Sequence, residues 1–386
     1  MSAKHLLFLS EKFTPKILFL KKLIALPFLL FYVTGSIGQR AANIAFNSFS
    51  KPPENPVLQA DSNYTFYDPI IKNTVKWQMA DVFNPAAVVK DGKVYLLYRC
   101  EDNPAAILGG RTSRIGLAES LDGIHFTKYP KPVLYPDLDA FRQFDFPGGC
   151  EDPRVVETED GTYIMSYTSW NYHTPRLSIA FSKDLVSWEK KGPAFARAYQ
   201  GKFLNLATKS GSIVTKMHRN RLVAARINGK YWMYWGELFV NLAWSDNLAD
   251  WNPLLDSKGG LLAVMKTRPQ KFDSDLTECG PPAIITGKGI MLIFNGKNST
   301  NENADPDLPK GMYSVGQATF DVNRPEILLD RSDSCFLKPT LPHEITGQYH
   351  AGTTFSEGLV FFKKKWFLYY GTADSFVGVA VTGSDQ

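Results

Sequence analysis

The chain has 386 residues, which suits one large domain or two medium ones and leaves ample room for a hydrophobic core. Hydrophobic residues make up 44% of it and charged residues 21%, a balance that excludes an intrinsically disordered chain. The formal net charge is +5, which indicates an acidic partner such as nucleic acid only if the charge belongs to the folded part. The aromatic share of 13%, with 29 Gly and 24 Pro, predicts many short strands and turns.

Most of this charge lies at the N-terminus. Residues 1–38 contain five lysines and one glutamate, a local net charge of +4. Lys21-Lys22 precedes an apolar run at 23–33, and the small residues Ser36 and Gly38 follow, which is the pattern of a secretory signal peptide over residues 1–38. The apolar run is short compared with the roughly 20 residues of a membrane-spanning helix, although an uncleaved membrane anchor is the alternative.

We therefore expect an exported protein, periplasmic or extracellular, without stable membrane insertion. Subtracting +4 from +5 leaves the mature chain near +1, so no nucleic-acid partner is expected. The four cysteines would permit two disulfides in three connectivities, but a chain of this size does not need them, and we expect free or buried thiols. No Cys/His cluster or phosphate-binding loop is found in the sequence, and we expect neither a metal nor a cofactor.

Two elements recur along the rest of the chain. Five segments share a turn followed by an apolar, aromatic strand: residues 90–98, 159–167, 227–235, 286–294 and 363–370. An apolar strand also precedes each of the first four segments. Asp-Gly and Asn-Gly in these turns favour two-residue hairpins. Between them recurs a strand, a Ser/Asp turn and an aromatic residue, at residues 115–126, 177–188 and 240–251, with weaker copies near 315 and 377.

Two hairpins in each unit make four strands, and five units of about 60–75 residues fill the chain. This predicts an all-β fold, a five-bladed β-propeller over residues 76–386, preceded by an extended segment at 39–75. A β-sandwich is the alternative. The strands of a propeller converge at one end of a central channel, so the candidate site residues are polar side chains at strand ends: Asn84, Arg99, Asp152, Arg154, Glu237, Glu278 and Asp374.

Four motifs at these positions resemble glycoside hydrolase family 130. They are Asn84-Pro85-Ala86, Glu151-Asp152-Pro153-Arg154, Gly280-Pro281-Pro282 and the run from Tyr369 to Asp374, and the similarity extends over residues 80–382. The resemblance implies a five-bladed propeller that acts on β-linked mannosides, with a β-linked manno-oligosaccharide as the partner. It also implies roles: Asp152 donates a proton through a sugar hydroxyl, and Asn84, Arg99 and Asp374 bind the mannose of the cleaved subsite. Arg154 is predicted to contact the substrate as well.

The family contains phosphorylases and a smaller group of β-1,2-mannosidases that use water. The phosphorylases carry a His-Arg pair after the third blade's strand, whereas this chain has Trp235-Gly236-Glu237 there and Glu278 before Gly280. Both glutamates resemble the hydrolytic group. Either of them could be the base, and one of them could instead be the direct acid. Extra carboxylates repel phosphate, while water attack needs one ionised and one protonated carboxyl group. In an inverting enzyme the two lie roughly 6.5–9.5 Å apart.

The sequence therefore predicts an inverting, exo-acting β-mannosidase that cleaves β-1,2-linked mannosides. Two alternatives stay open. A mannoside phosphorylase that releases mannose-1-phosphate is one, because Arg99, Arg111, Arg114, Arg154 and Lys209 could hold phosphate. A non-catalytic carbohydrate-binding propeller is the other. Linkage preference depends on the loops at 101–112, 136–149 and 341–352, and the sequence leaves the oligomeric state open.

Overall fold

The computed structural model describes residues 49–107 and 110–382. The predicted signal peptide and residues 39–48 lie outside this part of the chain. Within it, the all-β prediction is confirmed, because the helical elements are confined to α1 (Arg142–Asp145) and two short 3₁₀ turns at Ala198–Gly201 and Pro342–Glu344. No helix in the described ranges is long and apolar enough to cross a membrane.

The strands pair mainly with their neighbours in sequence. Near the N-terminus lie β1 (Phe49–Ser50), β2 (Phe66–Asp68) and β3 (Asn73–Val75). The first antiparallel set is β4 (Asp81–Lys90), β5 (Lys93–Glu101), β6 (Ser113–Ser120) and β7 (Thr127–Lys128). The second set is β8 (Gly149–Glu157), β9 (Tyr163–Trp170), β10 (Arg176–Ser182) and β11 (Trp188–Pro193).

The third region contains more strands than either of the first two sets. Its strands are β12 (Gly211–Ile213), β13 (Thr215–His218), β14 (Arg221–Ala224), β15 (Arg226–Ile227), β16 (Lys230–Trp235), β17 (Val240–Ser245), β18 (Asn252–Pro253) and β19 (Ala263–Met265). The fourth set is β20 (Leu276–Cys279), β21 (Ile284–Thr286), β22 (Gly289–Lys297), β23 (Tyr313–Phe320) and β24 (Leu328–Arg331). The last set is β25 (Phe355–Phe362), β26 (Lys365–Thr372) and β27 (Phe376–Thr382), with β1 against β27.

The repeated turns have the local geometry that the sequence predicts. Asp91-Gly92 and Asn228-Gly229 both have positive φ at each position, as the tight hairpins of twisted strands require. Lys363-Lys364 adopts the same conformation without glycine. In the second repeated element the hydroxyl groups of Ser120, Ser182 and Ser245 each accept a hydrogen bond from the backbone N–H three residues later. The repeated sequence element therefore forms the same serine-to-backbone hydrogen bond in each of these three copies.

One strand assignment is wrong. The sequence pattern pairs the strand at Leu222 with the strand at 230–235 across the Asn228-Gly229 turn. In the structure the strand that pairs with β16 across this turn is the short β15, and β16 also pairs with β12. Strand β14 instead forms a hairpin with β13, and this hairpin pairs in parallel with β8 and β21. The physical reason is that backbone groups of β13 and β14 find partners on two neighbouring sheets, which a local pattern does not reveal.

The N-terminal segment closes the last strand set. Phe49 and Ser50 pair with Thr382 and Val381. The side chain of Asn55 accepts a hydrogen bond from the N–H of Val379 and donates one to its carbonyl, both at 2.8 Å. All four cysteines are free thiols, and three of them are buried: Cys100, Cys150 and Cys279.

Removing the Asn55 amide should destabilise the protein. In Asn55→Ala both backbone groups of the fully buried Val379 lose their partner, and we expect a loss of about 2 kcal/mol in the free energy of unfolding. Chemical denaturation measures it. The matched control is Asn63→Ala, an exposed position on the same segment, where less than about 0.5 kcal/mol is expected. Equal stability of the two variants would contradict a closing role for Asn55.

Candidate active site

Three candidate site residues have unusual backbone conformations. Asn84, Asp152 and Asp374 have φ values of 49°, 50° and 51°, a left-handed region that non-glycine residues seldom occupy. Asn84 and Asp152 lie at irregularities in the pairing of β4 and β8, where a strand redirects side chains away from its regular alternation. Such strain persists where the surrounding structure fixes it, and it clusters at functional sites.

These side chains meet at one cavity of about 440 Å³. Six of the seven residues predicted from the sequence line it: Asn84, Arg99, Asp152, Glu237, Glu278 and Asp374. They come from different strand sets, as predicted from their positions at strand ends. Glycine at position 371 makes room for one of them, because a Cβ atom there would lie 2.0 Å from Oδ1 of Asn84.

Arg99 organises one side of the cavity. Its guanidinium lies 2.7 Å from Glu101, 2.9 Å from Glu151 and 3.2 Å from Asp152. The side-chain amide of Asn84 donates a second hydrogen bond to Oδ1 of Asp152, at 2.8 Å. The positions of Asp152 and Glu151 are therefore fixed by one planar cation with a rigid fork of donors.

The same contacts set the protonation of neighbouring carboxyl groups in opposite directions. Burial opposes ionisation of Asp152, but Arg99, Lys209 and the Asn84 amide outweigh it and hold the pKa of Asp152 below its usual value. Burial raises the pKa of Glu151 to about 7, although Arg99 opposes the change. Burial also raises the pKa of Asp374 to about 6. Asp152 is therefore ionised when no ligand is bound, while Glu151 carries a proton for much of the time near neutral pH.

Glu237 and Glu278 form a second acidic pair across the cavity. Glu278 is buried and accepts a hydrogen bond from the hydroxyl of Ser210, whereas the side chain of Glu237 is 46% exposed and lies 3.9 Å from Nζ of Lys209. Burial and the negative charge of Glu237 raise the pKa of Glu278 to about 8. The pair thus places a carboxyl group that is protonated at neutral pH beside a more exposed one.

Arg154 is not where the sequence placed it. Its side chain is almost completely buried and does not line the cavity. Nε donates to the carbonyl of Gly280 and Nη2 to that of Cys279, while Nη1 donates to the carbonyl of Asp152. In this structure the residue lies behind the cavity wall, because the strand irregularity at Asp152 changes which neighbour faces the cavity.

Sequence reasoning missed several lining residues. Lys209 and Glu151 line the cavity, although the sequence predicts Lys209 only as a possible phosphate ligand and Glu151 only as part of a motif. The aromatic wall went unassigned, because aromatic residues of a propeller are indistinguishable from core by pattern alone: Phe83, Trp170, Tyr313, Tyr349 and Phe355. Flat aromatic faces suit the apolar faces of sugar rings. No cluster of His, Cys, Asp and Glu suited to a metal ion occurs among residues 49–107 and 110–382.

Residues 48–386 match the glycoside hydrolase family 130, which is described as β-1,4-mannooligosaccharide phosphorylase. The chain belongs to this family. The resemblance inferred from the sequence motifs is thereby confirmed, and the family's fold is β-propeller-like. Members act on glycosides, so this protein is a glycoside-active enzyme of carbohydrate metabolism.

Relatives of two kinds resemble this family 130 chain. A 1,2-β-oligomannan phosphorylase of Thermoanaerobacter sp. (strain X514) is 31% identical over 313 residues, which cover 79% of this chain and 91% of that protein. The crystal structure of a glycosyl hydrolase from Bacteroides ovatus is 48% identical, with a TM-score of 0.86 over 89% of this chain and 95% of that one. A second structure, from work on family 130 hydrolases that target β-1,2 mannosidic linkages in Candida mannan, is 48% identical, with a TM-score of 0.87 over 89% of this chain and 96% of that one.

The protonated carboxyl groups make the stability of the folded enzyme depend on pH. A group whose pKa is higher in the folded state than in the unfolded state favours folding at low pH, and this advantage is lost as the pH rises from the unfolded to the folded value. For Glu278 these values are 4.5 and about 8. We therefore expect the melting temperature to fall between pH 5 and pH 8, and Glu278→Gln to reduce the fall, because an amide does not ionise.

Thermal unfolding across this pH range, followed by circular dichroism, measures the effect. Glu302→Gln is the matched control, because Glu302 is exposed and does not line the cavity. A melting temperature of Glu278→Gln at pH 8 that is no higher than that of the wild type would contradict a protonated Glu278.

Proposed function

We propose that this protein is an exported, inverting, exo-acting β-mannosidase that cleaves β-1,2-linked manno-oligosaccharides with water, and that its strand sets are the blades of a five-bladed β-propeller. The observation that carries the proposal is the presence of Glu237 and Glu278 in the same cavity as Asp152. Two further carboxyl groups opposite a proton donor suit water as the attacking group and disfavour phosphate. The 48% identity to a structure from work on β-1,2-mannoside hydrolases supports the same assignment.

In the proposed reaction Glu237 accepts a proton from water as the water attacks the anomeric carbon. Lys209, 3.9 Å away, stabilises its negative charge. Glu278 is protonated beside it, so the attacking side carries one negative charge instead of two. This arrangement matches the single base that an inverting glycosidase needs.

Asp152 directs a proton to the leaving oxygen through a hydroxyl of the bound sugar, as in the family. It is ionised in the free enzyme, so it requires a proton in each turnover. Glu151, its neighbour in the chain, carries a proton near neutral pH and lines the same cavity. In the proposed reaction Glu151 passes this proton to Asp152, which relays it through the sugar hydroxyl to the leaving oxygen. Glu237 then releases the proton taken from water to the solvent, from which Glu151 regains its own. Asn84, Arg99 and Asp374 bind the terminal mannose, because their donors and acceptors suit adjacent hydroxyl groups.

The decisive experiment incubates the enzyme with β-1,2-mannobiose and, separately, with β-1,4-mannobiose, each with and without inorganic phosphate. We expect free mannose from the β-1,2-linked substrate in both conditions, initially as the α-anomer by NMR. Asp152→Asn and Glu237→Gln should each lower kcat by a factor of at least about 100. A strict phosphate requirement, with mannose-1-phosphate as the product, would replace hydrolysis by phosphorolysis. Binding without turnover that Glu237→Gln and Glu278→Gln leave unchanged would indicate a non-catalytic propeller.

Phosphorolysis is the second candidate, and the names of the curated relatives favour it. The cavity also contains two cations, Arg99 and Lys209, of the kind that bind phosphate. Lys209→Met separates the candidates. In a hydrolase it should lower kcat without creating any dependence on phosphate, because the lysine acts on Glu237. In a phosphorylase it should raise the KM for phosphate by about 10-fold or more, while the KM for the mannoside changes little.

A further inference from the structure

The guanidinium of Arg154 connects two parts of the site from behind. Its side chain extends from β8 and is only 2% exposed. On one side Nη1 donates to the carbonyl of Asp152 at 3.1 Å. On the other side Nη2 and Nε donate to the carbonyls of Cys279 and Gly280, at 2.8 and 2.9 Å. One planar group therefore holds backbone atoms of two separate strand sets.

The carbonyls that it binds belong to the catalytic segments. The first is that of Asp152 itself, and Cys279 directly follows Glu278 in β20. The first segment needs such support, because β8 loses its regular pairing between Glu151 and Arg154. The donors of a guanidinium are fixed in one plane, so bonds to both segments restrict their separation and their relative orientation.

Glu357 lies against the guanidinium of Arg154. It is completely buried at an irregularity in the pairing of β25, and its Oε1 lies 3.1 Å from Nη2 of Arg154. The charged groups that face it are Arg154, Asp152, Glu278 and Arg99. Burial raises the pKa of Glu357 well above its usual value, so the carboxyl group beside Arg154 is uncharged and leaves the positive charge of Arg154 acting on Asp152 and Glu278.

We propose that Arg154 is a positioning residue that fixes the separation of Asp152 and Glu278 across the cavity, and that it is not a ligand of the substrate. The proposal rests on the assignment of these two carboxyl groups to the reaction under the proposed function. It does not depend on whether water or phosphate is the acceptor. The distinction from a binding role is measurable, because positioning changes kcat whereas a substrate contact changes KM.

The test compares Arg154→Lys and Arg154→Met with the wild type on β-1,2-mannobiose. A lysine keeps the charge but loses the planar fork, so we expect kcat to fall by about 10-fold or more, since small misplacements of reacting groups are costly. KM should stay within about threefold, and the pH profile should not move. Arg154→Met also removes the charge that favours ionised Asp152 and Glu278, so both limbs of the pH profile should move to higher pH by about one unit.

A second readout does not require activity. The fall of the melting temperature with pH reflects the ionisation of Glu278, and in Arg154→Met it should occur at higher pH than in the wild type. This result would support the proposal even if the enzyme failed to cleave mannobiose and the proposed function were wrong. If Arg154→Met does not fold, Arg154→Lys carries the kinetic test.

The matched control is Arg221→Met. Arg221 also pairs with a buried carboxylate, Glu157, which lies five residues beyond Asp152 on the same strand, on the order of 16 Å away. Its kcat, KM and pH profile should equal those of the wild type. Wild-type kcat in Arg154→Lys would overturn the proposal, because the fork would then be unnecessary. A 10-fold rise in KM at unchanged kcat would also overturn it, in favour of the substrate contact predicted from the sequence.

Discussion

The constraint on which the site depends is the cost of placing several carboxyl groups in one buried cavity. Among the described residues, five carboxyl groups line it with two cations: Glu151, Asp152, Glu237, Glu278 and Asp374 with Arg99 and Lys209. They cannot all ionise together, because like charges in a desolvated space repel one another. The protein therefore separates their protonation states. Asp152 is ionised next to Arg99, and Glu278 is protonated next to Glu237.

The fold makes this arrangement possible by drawing the carboxyl groups from several strand sets: Glu151 and Asp152 share β8, whereas Glu237, Glu278 and Asp374 come from three other sets. Ladder hydrogen bonds fix the strands, and irregularities at Asn84 and Asp152 then turn individual side chains into the cavity. The left-handed backbone at these positions and at Asp374 is unfavourable by itself, and the stability of the surrounding sheets offsets this strain. Arg99 and Arg154 act on opposite sides of Asp152: the first binds its carboxylate, and the second binds its carbonyl.

Much of the fold could be read from the sequence, because hairpins and Ser-capped turns are local structures. The Asp91-Gly92 turn and the hydrogen bonds of Ser182 and Ser245 depend on residues within a few positions of one another. The strand pairing of the third region could not be predicted, because it depends on distant segments. The partners of β13 and β14 lie on β21 and β8, far away in sequence, and the alternation of residues within a strand does not specify its neighbour.

The sequence by itself determined the family and the all-β class. Of the seven site residues that it predicted, six line the cavity, because motifs at strand ends are conspicuous in a repeating chain. Only the tertiary structure decided what each charged group does. Arg154 and Asp152 are two residues apart in one motif, yet one faces the cavity and the other lies behind its wall. The pKa of Glu278 depends on Glu237, Lys209 and Arg154, and these contacts exist only once distant segments are brought together in a dry interior.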